Sequence, residues 1–370
     1  ISEGDRQCVP DHVEDAYPLS QVQAGMVFYN RYDTASSVYH VVFCASMRLP
    51  FEEAMIRGVL DELALRHEVL RTSYDFDRYS VPLQLVHRSA RVPLVVDDLG
   101  GLDEAEREAA FDRWCGQEAR SPFDVHVPPL LRVFVHRMTD VEFRFTLSFN
   151  HAVLDGWSDA SLVTEFMQRY QARLEWRALP AVPLPVRYRD YIALEQQAIS
   201  SEATQRFWRD MLAGYRPVEP QRSVLPARRG ASHAQPEDFA VIRISQRTFE
   251  GLVDLAQQSQ VPLKTILLSA HMAALSALTG SRDVATAIVC HGRPEAVDAE
   301  KLIGLFLNAV FLRMRIGSVS WRGLIRDVME AESRLFPHRR YPLPAILGDS
   351  GLRNGIGVIF NYIHFHVYDQ

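Results

Sequence analysis

One short stretch gathers side chains able to do chemistry: Asn150-His151-Ala152-Val153-Leu154-Asp155-Gly156-Trp157-Ser158. An unperturbed imidazole titrates close to neutral pH, so His151 suits proton transfer. Asp155 could fix the tautomer of that ring, or pair with an arginine and lock the shape of the loop. Gly156 permits close backbone approach and a positive φ, and Ser158 is expected to cap the helix that follows. A metal site is disfavoured, because one His and one Asp stand without a third ligand nearby. Taken alone, a His before an apolar triplet and Asp-Gly fits a hydrogen-bonded loop histidine as well as a reactive one.

The elements around this loop can be read from periodicity. Two β-rich segments, 130–137 (LLRVFVHR) and 141–149 (VEFRFTLSF), lead into it, and 158–174 has helical apolar spacing. Upstream, residues 1–14 are polar and read as a linker. Helices are expected at 19–31, 51–66 and 103–119, a strand at 38–48, and extended segments at 69–76 and 82–87. Residues 176–188 carry three prolines and read as a crossing between lobes, followed by helices near 188–199 and 202–213. Residues 216–237, rich in Pro, Arg, Ser and Gly, read as a loop. The remainder repeats the same grammar, with strands at 239–245, 283–290, 308–316 and 356–365 and helices at 248–259, 263–279 and 320–335. Two mixed halves predict a duplicated α+β architecture, with lobes at 15–178 and 179–370.

Composition narrows the function classes. A chain of 370 residues can bury a sizeable core, and a net charge of −6 gives no reason to expect nucleic acid or an anionic membrane as partner. Only Lys264 and Lys301 are lysines among 40 basic residues, which a base-composition bias explains. Cys8, Cys44, Cys115 and Cys290 form no CxxC pair, which fits a reducing cytosol. No apolar run reaches the roughly 18 residues of a membrane span. Beginning at Ile1 without Met or signal peptide, the chain reads as a cytoplasmic piece of something larger. No phosphate loop, dinucleotide fingerprint or flavin motif is present.

The NHAVLDGWS stretch resembles the HHxxxDG signature of nonribosomal peptide synthetase condensation domains, within the chloramphenicol acetyltransferase-like superfamily, with Asn150 in place of the first His. Six further stretches match in family order. YPLSQVQAGMVF (17–28) resembles the opening motif, RHEVLRTSY (66–74) the RHExLRTxF block, and YRDYIALE (188–195) the YxDYAxW helix, with Leu194 for its Trp. HGRPEAVDAEKLIGLFLNAVFLRMR (291–315) resembles the segment ending in GxFVNTxxxR, HRRYPLPAI (338–346) an altered HQDxPFE, and FNYIHF (360–365) a strand near the end of the fold. Epimerisation domains fit less well, because GLFLNA (304–309) follows the condensation pattern, and His151 excludes the heterocyclisation pattern.

The resemblance implies two chloramphenicol acetyltransferase-like lobes forming a V-shaped pseudo-dimer with a central tunnel, the C-terminal lobe incomplete at its end. It implies that His151 is catalytic, taking a proton from the acceptor amine or positioning that amine and steadying the tetrahedral intermediate. Asn150 and Gly156 share the catalytic motif. Asp155 is implied to be structural, paired with Arg293, Arg66 or Arg71. The first His of the motif is credited with shaping the site, so activity is expected to survive Asn150. The implied reaction joins a donor acyl or peptidyl thioester to an acceptor aminoacyl thioester, with no cofactor bound by the domain itself. Donor and acceptor peptidyl carrier proteins would deliver phosphopantetheine arms, beside an adenylation domain. A degenerate docking or recruitment domain, and a stand-alone acyltransferase using a soluble amine or alcohol, are the alternatives. His338 and His364 are read as structural.

Overall fold

Phe143, Phe145, Leu147 and Phe149 alternate along one strand and give it a wholly apolar face, all four at most 2% exposed. Such a face must be covered, and the helices over 53–66 and 156–174 supply the cover. The computed structural model describes residues 1–32, 38–139, 141–180, 182–217, 240–317, 320–352 and 357–364. These fall into two compact units: the described residues of 1–200 with 291–308 and His364, and those of 201–290 with 309–363.

The first unit holds α1 (Glu3–Cys8), β1 (Val13–Pro18), α2 (Gln21–Tyr32), β2 (His40–Met47), α3 (Glu53–Arg66), β3 (Thr72–Asp75), β4 (Leu83–His87), β5 (Leu94–Asp98), α4 (Glu104–Glu118), β6 (Leu131–Arg137), β7 (Phe143–Asn150), α5 (Gly156–Leu174) and α6 (Tyr188–Ser200). A four-stranded sheet runs β2-β7-β6-β5, antiparallel except for the parallel β5/β6 pair. β1, β4 and β3 make a second, antiparallel sheet. Ile56, Leu60 and Leu63 of α3 and Leu162, Phe166 and Tyr170 of α5 join the apolar face of β7 in one core. The Phe145 and Phe166 rings stack at 4.1 Å. The opposite face of β7 carries Arg144, Thr146, Ser148 and Asn150, and α4 supplies Glu108 and Glu118 to Arg144 and Ser148.

The second unit continues with α7 (Glu202–Leu212), α8 (Gln246–Ser259), α9 (Leu263–Thr279), β8 (Asp283–His291), β9 (Leu307–Arg315), α10 (Trp321–Leu335), α11 (Leu343–Ser350) and β10 (Ile359–Phe360), with strand order β10-β8-β9. It too mixes helices with an open sheet. No single described helix is long and apolar enough to cross a membrane.

Several expectations need correction. Residues 1–14 contain α1 and the start of β1. Ser2 caps that helix, and Asp5 accepts from Ser80 N at 2.9 Å, so this polar stretch satisfies its own groups rather than linking. The described residues of 176–188, read as a crossing between lobes, cluster with the first unit, as does 291–308, expected in the C-terminal lobe. Residues 68–71 form a 3-10 turn ahead of β3. Residues 240–245 are irregular, and the expected strand at 356–365 shrinks to β10. Positions 218–239, 356 and 365, on which the loop and parts of those two strands were expected, lie outside the described residues. Burial of Phe166 against Phe145 predicts that Phe166→Ala lowers unfolding free energy by about 3–5 kcal/mol, read by urea denaturation.

Candidate active site

The loop after β7 is built by backbone bonds before any side chain acts. Asn150 N donates to Leu130 O at 3.0 Å, His151 N to Tyr39 O at 2.7 Å, and Val153 N to Asn150 O at 3.0 Å. The Asn150 side chain is buried, and its Oδ1 accepts from Ala152 N at 3.0 Å. Asn therefore closes this turn by the local side-chain bond that suits its short amide.

His151 is half-buried, and its Nδ1 lies 2.7 Å from Leu154 O. A carbonyl oxygen only accepts, so Nδ1 carries the proton in this bond. The neutral ring then offers the lone pair of Nε2. One nitrogen is used to hold the ring, and the other is not engaged by that bond.

Asp155 supplies the rigidity. Its side chain is 1% exposed and caps α5, accepting from Ser158 N at 2.8 Å through Oδ1. Oδ2 accepts from Phe306 N at 3.0 Å, and Asp155 N donates to Gly304 O at 3.1 Å. Arg293 Nη2 approaches Oδ1 at 3.4 Å and donates to Ser158 Oγ at 2.8 Å. Its Nη1 donates to Leu302 O, and its guanidinium stacks on Phe306 at 4.1 Å. Ser158 Oγ in turn donates to Gly304 O at 2.7 Å and accepts from Gly304 N at 3.0 Å. Burial works against the Arg293 charge, and Asp155 opposes that shift.

Of the three arginines considered, the structure selects Arg293. Arg66 Nε pairs with Glu165 at 3.0 Å, and Arg71 donates to Ala64 O at 2.8 Å and to Glu14 at 3.0 Å. Ser158 is not the cap but the residue that Asp155 caps, two residues into a helix that starts at Gly156. Gly156 opens α5 and is absent from the positive-φ residues, so it needs no left-handed freedom. Trp157 is half-buried rather than core, its Nε1 3.2 Å from Glu300 O. His338 packs its ring on Phe207 at 4.0 Å, in a structural role.

Other residues on the page matter as much. Gln23 Nε2 and Tyr74 Oη donate to the same oxygen, Ala152 O, at 3.0 and 2.8 Å. Tyr188 Oη donates to Leu305 O at 2.6 Å, and its ring crowds Gly304 so closely that an added Cβ would lie 2.5 Å from it. These residues sit inside the matched stretches 17–28, 66–74, 188–195 and 291–315, and only their convergence reveals their task. Asp159, one turn beyond Asp155, is 7% exposed, and its Oδ1 has no hydrogen-bond partner. Burial, then the nearby Asp155 charge, pushes its carboxyl up to about 7. No cluster of three metal-ligating side chains occurs among the described residues. A separate cavity of about 310 Å³ lies beside Arg66, Glu68 and Arg187, and His151 does not line it.

Comparison with known proteins identifies the family. The family described as Condensation domain matches residues 13–369. The AMB antimetabolite synthetase AmbE of Pseudomonas aeruginosa is 34% identical over 100% of this chain and 17% of its own length. Chondramide synthase cmdD of Chondromyces crocatus is 30% identical over 90% of this chain and 8% of its own length. The chain thus spans less than a fifth of these curated relatives. Among solved structures, the first condensation domain of the calcium-dependent antibiotic synthetase, in complex with a substrate analogue, matches with a TM-score of 0.75 at 20% identity, covering 95% of this chain and 82% of that one. The starter condensation domain of rhizomide synthetase matches at 0.77 and 18%, covering 98% and 81%. The chain belongs to the condensation domain family of nonribosomal peptide synthetases, acyltransferases that form amide bonds, and has their chloramphenicol acetyltransferase-like fold.

Two measurements test this construction. Asp155→Ala leaves Arg293 buried without its carboxylate and should lower unfolding free energy by about 3–5 kcal/mol, read by denaturation. Asp159 has a folded-state pKa above its ordinary 3.8, so its ionisation opposes folding. That penalty is absent below about pH 4, grows between about pH 4 and 7, and is complete above. Asp159→Asn should therefore match the parent near pH 4 and exceed it by about 2–4 kcal/mol at pH 8.

Proposed function

We propose that His151 is the general base of amide formation between two tethered substrates: a donor acyl or peptidyl thioester and an acceptor aminoacyl thioester. The observation that supports this most is the bond between His151 Nδ1 and Leu154 O, which leaves Nε2 as an acceptor. The acceptor's α-amine attacks the donor's thioester carbonyl, and the new C–N bond creates a tetrahedral oxyanion. His151 Nε2 takes the proton that the attacking nitrogen must lose. Collapse of the intermediate breaks the C–S bond, and the imidazolium returns its proton to the departing thiolate. An N–H directed at the oxyanion is available from Nε2 only once that proton has arrived. Base and electrostatic roles therefore follow one another instead of competing.

Peptidyl carrier proteins would present both substrates on phosphopantetheine arms, next to an adenylation domain, in the cytoplasm. The domain would bind no cofactor of its own. The donor enters already activated, so nothing in the step requires a nucleotide, redox group or metal at this site. Asn150, a departure from the motif, keeps the turn closed through Ala152 N and so favours a working site over a domain kept for docking alone.

The test loads donor and acceptor onto their carriers and follows the amide by mass spectrometry. The parent chain should form it, and His151→Ala should lower the rate by about 10²–10⁴-fold with its unfolding transition unchanged. A parent chain silent with verified substrates would leave the docking reading. Turnover of free amines without carriers would favour a stand-alone acyltransferase.

A further inference from the structure

Asn150 stands where the motif has its first His, and an imidazole lies directly across the strand pair. In the antiparallel β2/β7 register, His40 is the partner of Asn150. Paired residues in such a ladder point to the same face, with Cβ atoms about 4.5–5.5 Å apart. Ser148, two residues before Asn150, shares that face.

His40 is held by a closed polar cluster. Its Nε2 lies 2.8 Å from Ser148 Oγ, and Ser148 Oγ donates to Glu118 Oε1 at 2.5 Å. The serine has a single proton, and the carboxylate takes it, so the imidazole donates through Nε2–H. Arg132 Nη2 neutralises the same Glu118 oxygen at 2.8 Å. The Phe123 ring closes the group, edge-on to His40 at 5.1 Å and beneath Arg132 at 4.0 Å. Burial and Arg132 hold the His40 pKa down at about 4, so this ring is neutral near pH 7 and suited to holding rather than to proton transfer.

What it holds is the start of β2. The preceding residue, Tyr39, gives its carbonyl to His151 N at 2.7 Å. Anchoring His40 therefore fixes the backbone from which the catalytic ring hangs.

We propose that His40 and Asn150 are an exchanged pair, in which His40 performs from β2 the site-shaping role of the motif's first His and positions His151 through the Tyr39 carbonyl. The proposal rests on the amide-forming reading of His151. It makes His40 a positioning residue that touches no substrate. It predicts that restoring an imidazole at 150 alone brings no improvement. Asn150→His would set two rings side by side on one buried face and would remove the amide oxygen that accepts from Ala152 N. His40→Asn would leave Ser148 and Glu118 without their ring. Changing both returns one imidazole and one amide to the pair.

A double-mutant cycle decides the matter, using His40→Asn, Asn150→His and the two together in the full chain. Each variant is followed by carrier-loaded amide formation and by urea unfolding. Each single change should lower kcat about tenfold or more with KM within about twofold, and the double should recover to within about threefold of the parent. Unfolding midpoints should fall in both singles and return in the double. Asn150→His alone equalling or exceeding the parent overturns the proposal, as do losses that simply add in the double. A parent chain that forms no amide defeats the functional reading instead. The unfolding cycle then still decides the exchange, since coupled midpoints support it and additive ones reject it.

Discussion

The Asp155 carboxylate is the fixed point of the first unit. Buried to 1% side-chain exposure, it starts α5 by accepting from Ser158 N, holds Phe306 N, and faces Arg293. A charge taken this far from water must be matched by donors on both oxygens, and it is. Neighbouring bonds fasten the 291–308 segment to the loop after β7, because Gly304 N and O both meet Ser158 Oγ and Phe306 N donates to Asp155. Gly304 is required by that approach, since the Tyr188 ring occupies the space a side chain would need. Asp159 nearby is protonated more readily because of its burial and then because of the same Asp155 charge.

Around this fixed point the loop is clamped from several directions at once. Gln23 from α2 and Tyr74 from β3 share the Ala152 carbonyl, and Gln84 from β4 donates to Gln23 Oε1 at 3.2 Å. Tyr39 holds His151 N, and Leu154 O holds the ring. Three separate segments, α2, β3 and the residue before β2, therefore converge on the loop, with β4 bracing Gln23 behind them. A half-buried imidazole restrained in this way keeps little conformational freedom, which is what the proposed role of His151 as a base would use. Each buried polar group in the clamp has its partner, so the network stiffens the loop instead of weakening the core.

Much of this was legible in the sequence. The period-2 apolar pattern of 143–149 and the 3.6-residue spacing of 158–174 depend on local geometry alone, and they appear as β7 and α5. His151 and the choice of Asp155 with an arginine followed from residue chemistry within one loop and its resemblance to a known motif. The motif order along the chain carried the family, and the match over 13–369 agrees with it. Local patterns were misleading where polar residues satisfy one another, as Ser2, Asp5 and Ser80 do in the stretch read as a linker.

Only the tertiary structure decided which arginine meets Asp155, because Arg66, Arg71 and Arg293 are equivalent as sequence and differ by what surrounds them. It alone placed Gln23 and Tyr74 on one carbonyl, and 291–308 in the first unit. It alone set His40 opposite Asn150, a pairing fixed by strand register between residues far apart in the chain. Sequence spacing carries what a helix or strand repeats along itself. Partner choice, tautomer and the state of a buried carboxyl depend on which elements pack together and how much water they exclude, and those are properties of the folded chain.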